Sequence, residues 1–370
     1  MKLWIEHAYQ GQTETDAEAC GEVVRTFQTE EQFFVILASS ALDTGEAKAA
    51  QIADSAADML QRGTPFDTVV KTLLSGLPKG ERASFTILQV LYDSSGGCAA
   101  HLVECDQPLM FLIRDRQVAT LPISERTVRG RQVRTSHFAL QDGDYAALVS
   151  QGYLDSEGWD WDWNDMAVAV RRLCAICYAP SELMGAMVRT FQRLNPGISY
   201  ENASIVTVCV RPMQTATVWT GPASNPVLDE IALGKLMAER DTRIICGGTT
   251  SQIAARLMGT ELELEPRPDD GWADVPPASL LEGVNLVTEG AVTLSQARER
   301  LAGDVSRGQD GATRLARLLL QADKIHIIVG TAINLDQAST AAEIPSRRTL
   351  IDNLVQELKM HHKIISVEYM

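Results

Sequence analysis

The run Phe33-Phe34-Val35-Ile36-Leu37-Ala38, then Ser39-Ser40-Ala41-Leu42-Asp43-Thr44-Gly45, then Glu46-Ala47-Lys48, spells an apolar strand, a small polar turn and a helix start. An unbroken apolar run of this length reads as a strand covered on both faces. Its turn therefore lies at a sheet end, where binding and catalytic groups collect. Hydrolytic chemistry there needs carboxylates, or a nucleophile beside a base. The turn supplies two serines and one acid, Asp43, and that scarcity governs the functional expectation.

Outward from this stretch, helical spacing predicts helices over Ala47 to Arg62 and Phe66 to Leu77, the second stopped by Pro78-Lys79-Gly80. A meander of short strands follows: Ser84 to Tyr92, Ala99 to Val103, Leu109 to Ile113, Gln117 to Leu121 and Tyr145 to Ser150. Two further helices, near Asn164 to Cys177 and Ser181 to Leu194, precede a strand over Ser204 to Val210. Short antiparallel strands with helices inserted in pairs predict two packed sheets with helices outside. Arg211-Pro212-Met213 reads as a linker. Beyond it strand and helix alternate, with strands at Thr215 to Thr220, Arg243 to Cys246, Val284 to Thr288, Lys324 to Val329 and Lys363 to Tyr369. That alternation predicts a mostly parallel α/β domain. The expected boundaries are 1–212 and 213–370.

The 370 residues, 45% hydrophobic, hold ample core material for about two or three domains. A formal charge of -15, with no Lys/Arg-rich run, argues against a surface that tracks nucleic-acid phosphates. No stretch approaches the roughly 18 apolar residues of a membrane span, and residues 1–20 lack the apolar core of a signal peptide. Seven scattered cysteines read as reduced thiols, and a cytoplasmic location is expected. Cys174-Ala175-Ile176-Cys177 has redox-motif spacing, yet it falls in a helical pattern and reads as buried packing.

Three segments in order carry a family resemblance: Leu37 to Gly45, Leu148-Val149-Ser150-Gln151-Gly152, and Glu201-Asn202-Ala203-Ser204-Ile205-Val206. With their element order, residues 1–212 resemble the SpoIIE-like branch of the metal-dependent type 2C Ser/Thr protein phosphatases. The resemblance implies an α/β sandwich whose aspartates hold two Mg2+ or Mn2+ ions, and a metal-bridging water that attacks phosphoserine or phosphothreonine. Hard divalent cations need anionic oxygens, and a pair of them needs several. In this chain the family positions fall on Glu22, Ser39, Ser40, Gln151, Glu201 and Asn202. Ser39 and Gln151 are neutral where relatives carry acids. Asp43 and Asp155 are the substitutes within reach. The resemblance thus implies a bacterial signalling protein with a degenerate metal centre, acting by binding a phosphorylated or unphosphorylated regulator. An active phosphatase, needing Mn2+ or Mg2+, is the alternative.

The second half resembles a carboxy-terminal domain of a subset of these bacterial proteins, carried by Cys246 to Ser251, Leu281 to Gly290 and Val367-Glu368-Tyr369. It brings architecture and no activity. The loop Gly247-Gly248-Thr249-Thr250-Ser251, between strand and helix, has the makings of an anion cradle, and equally of a turn with a Thr or Ser cap. Loops at Glu289 and Gly330 end strands of the same sheet, and such loops converge on one edge. A small anionic ligand there makes the chain a sensor, a third expectation.

Overall fold

The structure, a computed structural model, describes residues 2–11, 21–40, 45–77, 83–94, 96–153, 161–194, 203–266, 275–303, 305, 308–332 and 346–370. The chain divides into two compact units, Met1–Pro212 and Met213–Met370.

The first unit runs β1 (Leu3–Gly11), β2 (Glu22–Gln28), β3 (Gln32–Ser40), α1 (Gly45–Gln61), α2 (Phe66–Gly76), β4 (Ala83–Tyr92), β5 (Cys98–Cys105), β6 (Phe111–Arg114), β7 (Gln117–Val118), β8 (Ile123–Val128), β9 (Arg131–Leu140), β10 (Tyr145–Val149), α3 (Trp163–Cys174), α4 (Pro180–Leu194) and β11 (Ser204–Pro212). Two antiparallel sheets form, ordered β1-β11-β10-β6-β7 and β2-β3-β4-β5-β9-β8. The unbroken apolar run of β3 serves both of its faces. Phe34, Ile36 and Ala38 pack under α1 and α2, while Phe33 and Val35 fill the space between the sheets. A third cluster, with Phe111, Met187 and Phe191, lies under α3 and α4. Helix, sheet, sheet and helix therefore stack as four layers.

The differences from the sequence reading include one boundary and one missed hairpin. Arg211 and Pro212 are not linker; they complete β11, where Pro212 pairs with Leu3. The β8–β9 hairpin went unpredicted, because most β8 side chains face solvent and give no apolar signal. Its turn, Arg129-Gly130, has positive φ at both central residues (55° and 83°), as a two-residue hairpin turn requires.

The second unit runs β12 (Thr215–Thr220), α5 (Pro226–Ala238), β13 (Thr242–Cys246), α6 (Gly248–Met258), β14 (Glu263–Leu264), β15 (Ser279–Leu280), β16 (Leu286–Thr288), α7 (Ala291–Leu301), α8 (Gly311–Gln321), β17 (Lys324–Val329), α9 (Arg347–Met360) and β18 (Ile364–Tyr369). The sheet order is β14-β15-β16-β13-β12-β17-β18. Its five main strands are parallel, and β14 and β15 add an antiparallel edge. Helices α5 and α6 cover one face and α7 to α9 the other. The chain goes outward from β12 in one direction, then returns to lay β17 on β12's other side. That reversal leaves a crevice beyond the carboxyl ends of the central strands.

Candidate functional site

In the first unit the register sets a polar row on the inner face of the second sheet. Glu22 pairs with Ser39, and Ser39 with Ser84, so the three side chains stand side by side across β2, β3 and β4. The Ser39 hydroxyl donates to Glu22 Oε1 at 3.3 Å. Gln107, two residues past β5, donates through Nε2 to Ser39 Oγ at 2.9 Å and to Ser84 Oγ at 2.8 Å. From the facing sheet come Ser150 and Ser204, joined by a bond from the Ser204 backbone N–H to Ser150 Oγ at 2.9 Å. Burial pushes the Glu22 carboxyl up to about 7, while hydrogen bonds to Ser204, Ser150 and Ser39 oppose the rise. Gly21 lies against the Ser40 carbonyl so closely that a Cβ would collide with it, and Ser40 N donates to Gly21 O at 2.7 Å.

The row continues through groups that the sequence reading did not single out. Arg134 of β9 donates to the Gln107 carbonyl oxygen and stands 3.3 Å from Glu104 Oε2. Glu104 is 2% exposed and accepts from Met110 N at 2.6 Å. Burial raises its carboxyl to about 7 against those two partners. Glu104 and Arg134 are cross-strand partners. Only a known β5–β9 register reveals that, and one partner belongs to the unpredicted hairpin. Gln151 opens a short helical turn, Gln151–Tyr153, and lines a crevice of about 440 Å3 with Asp106, Gln107 and Arg134.

Among the described residues, the positions where the resemblance implies metal ligands supply one carboxyl, Glu22, with the neutral Ser39, Ser40 and Gln151. The rim offers, among the described residues, hydroxyls, a glutamine amide whose N–H groups are spent on serines, two carboxyls with raised proton affinity, and Asp106, which pairs with Arg131 at 3.2 Å. Of the two raised carboxyls, Glu104 already faces Arg134. The Gln107 side-chain oxygen Oε1 is buried without a hydrogen-bond partner among the described residues, but it is neutral. No group of three or more His, Cys, Asp or Glu among the described residues is placed to hold a metal ion. Glu201, Asn202, Asp43 and Asp155 lie outside the described residues. Cys174 and Cys177 are free thiols, both pushed up by burial, which suits packing and not redox exchange.

In the second unit the loops expected to converge do so around a cavity of about 710 Å3. Gly247, Gly248, Thr249, Thr250 and Glu289 line it; Gly330 does not, but its carbonyl accepts from Arg347 Nη1 at 2.6 Å. Helix α6 begins at Gly248, three residues before the predicted Ser251, so Thr249 to Ser251 form its first turn. Ser251 turns back on Gly248 O at 2.8 Å and is structural. The expected Thr or Ser cap is absent: the N-cap is Gly247, at φ 136°, with no side-chain cap bond. Sequence reasoning did not single out Arg347. No helix among the described residues is long and apolar enough to cross a membrane.

No known family profile and no curated sequence matches the chain. Among solved structures it is similar to the phosphatase domain of the cell fate determinant SpoIIE from Bacillus subtilis, at 11% identity over 57% of this chain and 93% of that one, TM-score 0.43. It is similar to the RsbU and RsbW domains of a Mycobacterium tuberculosis protein, at 12% identity over 64% and 67%, TM-score 0.46. The SiaA-PP2C domain of Pseudomonas aeruginosa matches at 12% identity over 56% and 84%, TM-score 0.44. The chain's own topology is a sandwich of two helix-flanked antiparallel sheets, followed by a mostly parallel α/β unit.

Proposed function

We propose that the first unit is a regulatory module of phosphatase-type fold that works by binding and not by hydrolysis. One observation carries this reading: the continuous chain Glu22–Ser39–Gln107–Arg134–Glu104. Where a dinuclear centre needs uncompensated anionic oxygens, this rim balances its charge internally. Burial favours a proton on Glu22, and Arg134 stands against Glu104. Hydroxyls and an amide cannot lower the pKa of a bridging water as paired cations do. The partner suited to such a fold is a protein regulator, in phosphorylated or unphosphorylated form.

The test is an assay of the full chain on p-nitrophenyl phosphate and on phosphoserine peptides with millimolar Mn2+. The proposal expects no turnover above the metal-only blank. Hydrolysis that disappears in Glu22→Gln would show a working centre and overturn it.

A further inference from the structure

The cavity of the second unit is lined by charges of opposite sign, Arg347 and Glu289. The Arg347 guanidinium lies over Gly221, so close that a Cβ there would run into it. Arg347 is half-buried, bonded through Nη1 to the Gly330 and Ala332 carbonyls, and no carboxylate pairs with it among the described residues. Burial holds its pKa below the usual value, as expected for a cation lacking a counter-ion. The Glu289 carboxylate stands by Gly248, 3.2 Å from where a Cβ would be. The amino ends of α6 and α7 both open here, at Gly247 and Gly290, and neither has a side-chain cap.

Two hydroxyls on the cavity wall point to a ligand independently. Thr220 is 2% exposed and Thr250 1%, and both line the cavity. Neither side chain makes a hydrogen bond among the described residues. Polar side chains this buried normally find a partner, in the protein or in what fills the cavity beside them. Here two are left facing the same space, at the strand-order reversal where open α/β sheets bind ligands.

We infer that this cavity binds a small phosphorylated sugar, its phosphate toward Arg347 and its hydroxyls toward Glu289, Thr220 and Thr250. A volume of about 710 Å3 suits a small molecule. A guanidinium with no carboxylate partner matches a phosphate, and a carboxylate accepts from sugar hydroxyls. None of the described lining residues is aromatic, so nothing is placed to stack a nucleobase. The free sugar phosphate is therefore preferred over the same group carried by a nucleotide.

The experiment is titration calorimetry of the full chain with ribose 5-phosphate, adenosine 5′-monophosphate, inorganic phosphate and glutamate. The inference expects ribose 5-phosphate to bind at least as well as the nucleotide, and better than inorganic phosphate. Tighter nucleotide binding would assign the site to a base-bearing ligand and overturn the preference stated here. Thr220→Val fills the same volume without the hydroxyl. It should weaken sugar-phosphate binding roughly tenfold, about the effect of one lost hydrogen bond, while the melting temperature holds or rises. Glu289→Gln should narrow the gap between ribose 5-phosphate and inorganic phosphate. No heat from either sugar phosphate at millimolar concentration, preference for glutamate, or unchanged affinity in both variants would overturn the assignment.

Discussion

Ser39 donates its hydroxyl proton to the carboxylate of Glu22 across the β2–β3 pair, at 3.3 Å. Both occupy positions where the resemblance implies metal ligands, and here they bond to each other. A hydrogen-bonded row runs along the rim from this pair through Gln107.

The stability of the first unit should fall with rising pH near neutrality. The Glu22 carboxyl is raised from an ordinary 4.5 to about 7, so the folded chain keeps a proton that the unfolded chain releases. That contribution is complete below about 4.5, is lost as pH rises through about 7, and is flat beyond. Glu104 carries the same sign over the same window. Urea melts from pH 4.5 to 8 should show this decline, and Glu22→Gln should make it shallower. A stability rising from pH 5 to 7 would contradict the burial argument.

Arg134→Met removes the cation beside a carboxyl that is 2% exposed. Breaking a buried pair from one side costs about 3–5 kcal/mol when the other charge remains. Because Glu104 is protonated below about 7, the loss should be larger at pH 8 than at pH 5. Adding Glu104→Gln should recover part of it. Equal losses at both pH values, read from chemical denaturation, would show that Arg134 contributes packing alone.

In the second unit Arg300 of α7 pairs with Asp310, which caps α8 through Ala312 N and Thr313 N. Both side chains are under 10% exposed. Burial works against the charged form of Asp310, but Arg300 and Thr313 outweigh it and hold the carboxyl below the usual range. A depressed acid stabilises above its unfolded pKa, and that share is lost as pH falls through the folded value. Arg300→Met should therefore destabilise by about 3–5 kcal/mol at neutral pH, and by less in acid. Thermal melts at the two pH values check it.

Much of this architecture was legible because burial leaves a mark on sequence. The β3 run is apolar throughout because both its faces are covered, and β12 and β17 begin and end where their β-rich segments do. The β8–β9 hairpin was not legible, since its exposed strand has no apolar alternation and its turn is Arg-Gly, not Asn-Gly. At the site, Glu22 and Ser39 were marked by motif order. Gln107, Glu104 and Arg134 join them only through register, which local pattern does not encode. Arg347 reaches its cavity from a helix more than a hundred residues after Gly221, a proximity only the parallel topology creates.

The most direct test of the hydrogen-bonded rim is titration calorimetry of the full chain with Mn2+, at neutral pH, paired with the same titration of Glu22→Gln. A rim balanced by its own hydrogen bonds and by Arg134 should give no saturable heat up to millimolar metal, in either protein. Two ions bound at micromolar affinity, and lost with Glu22→Gln, would contradict it.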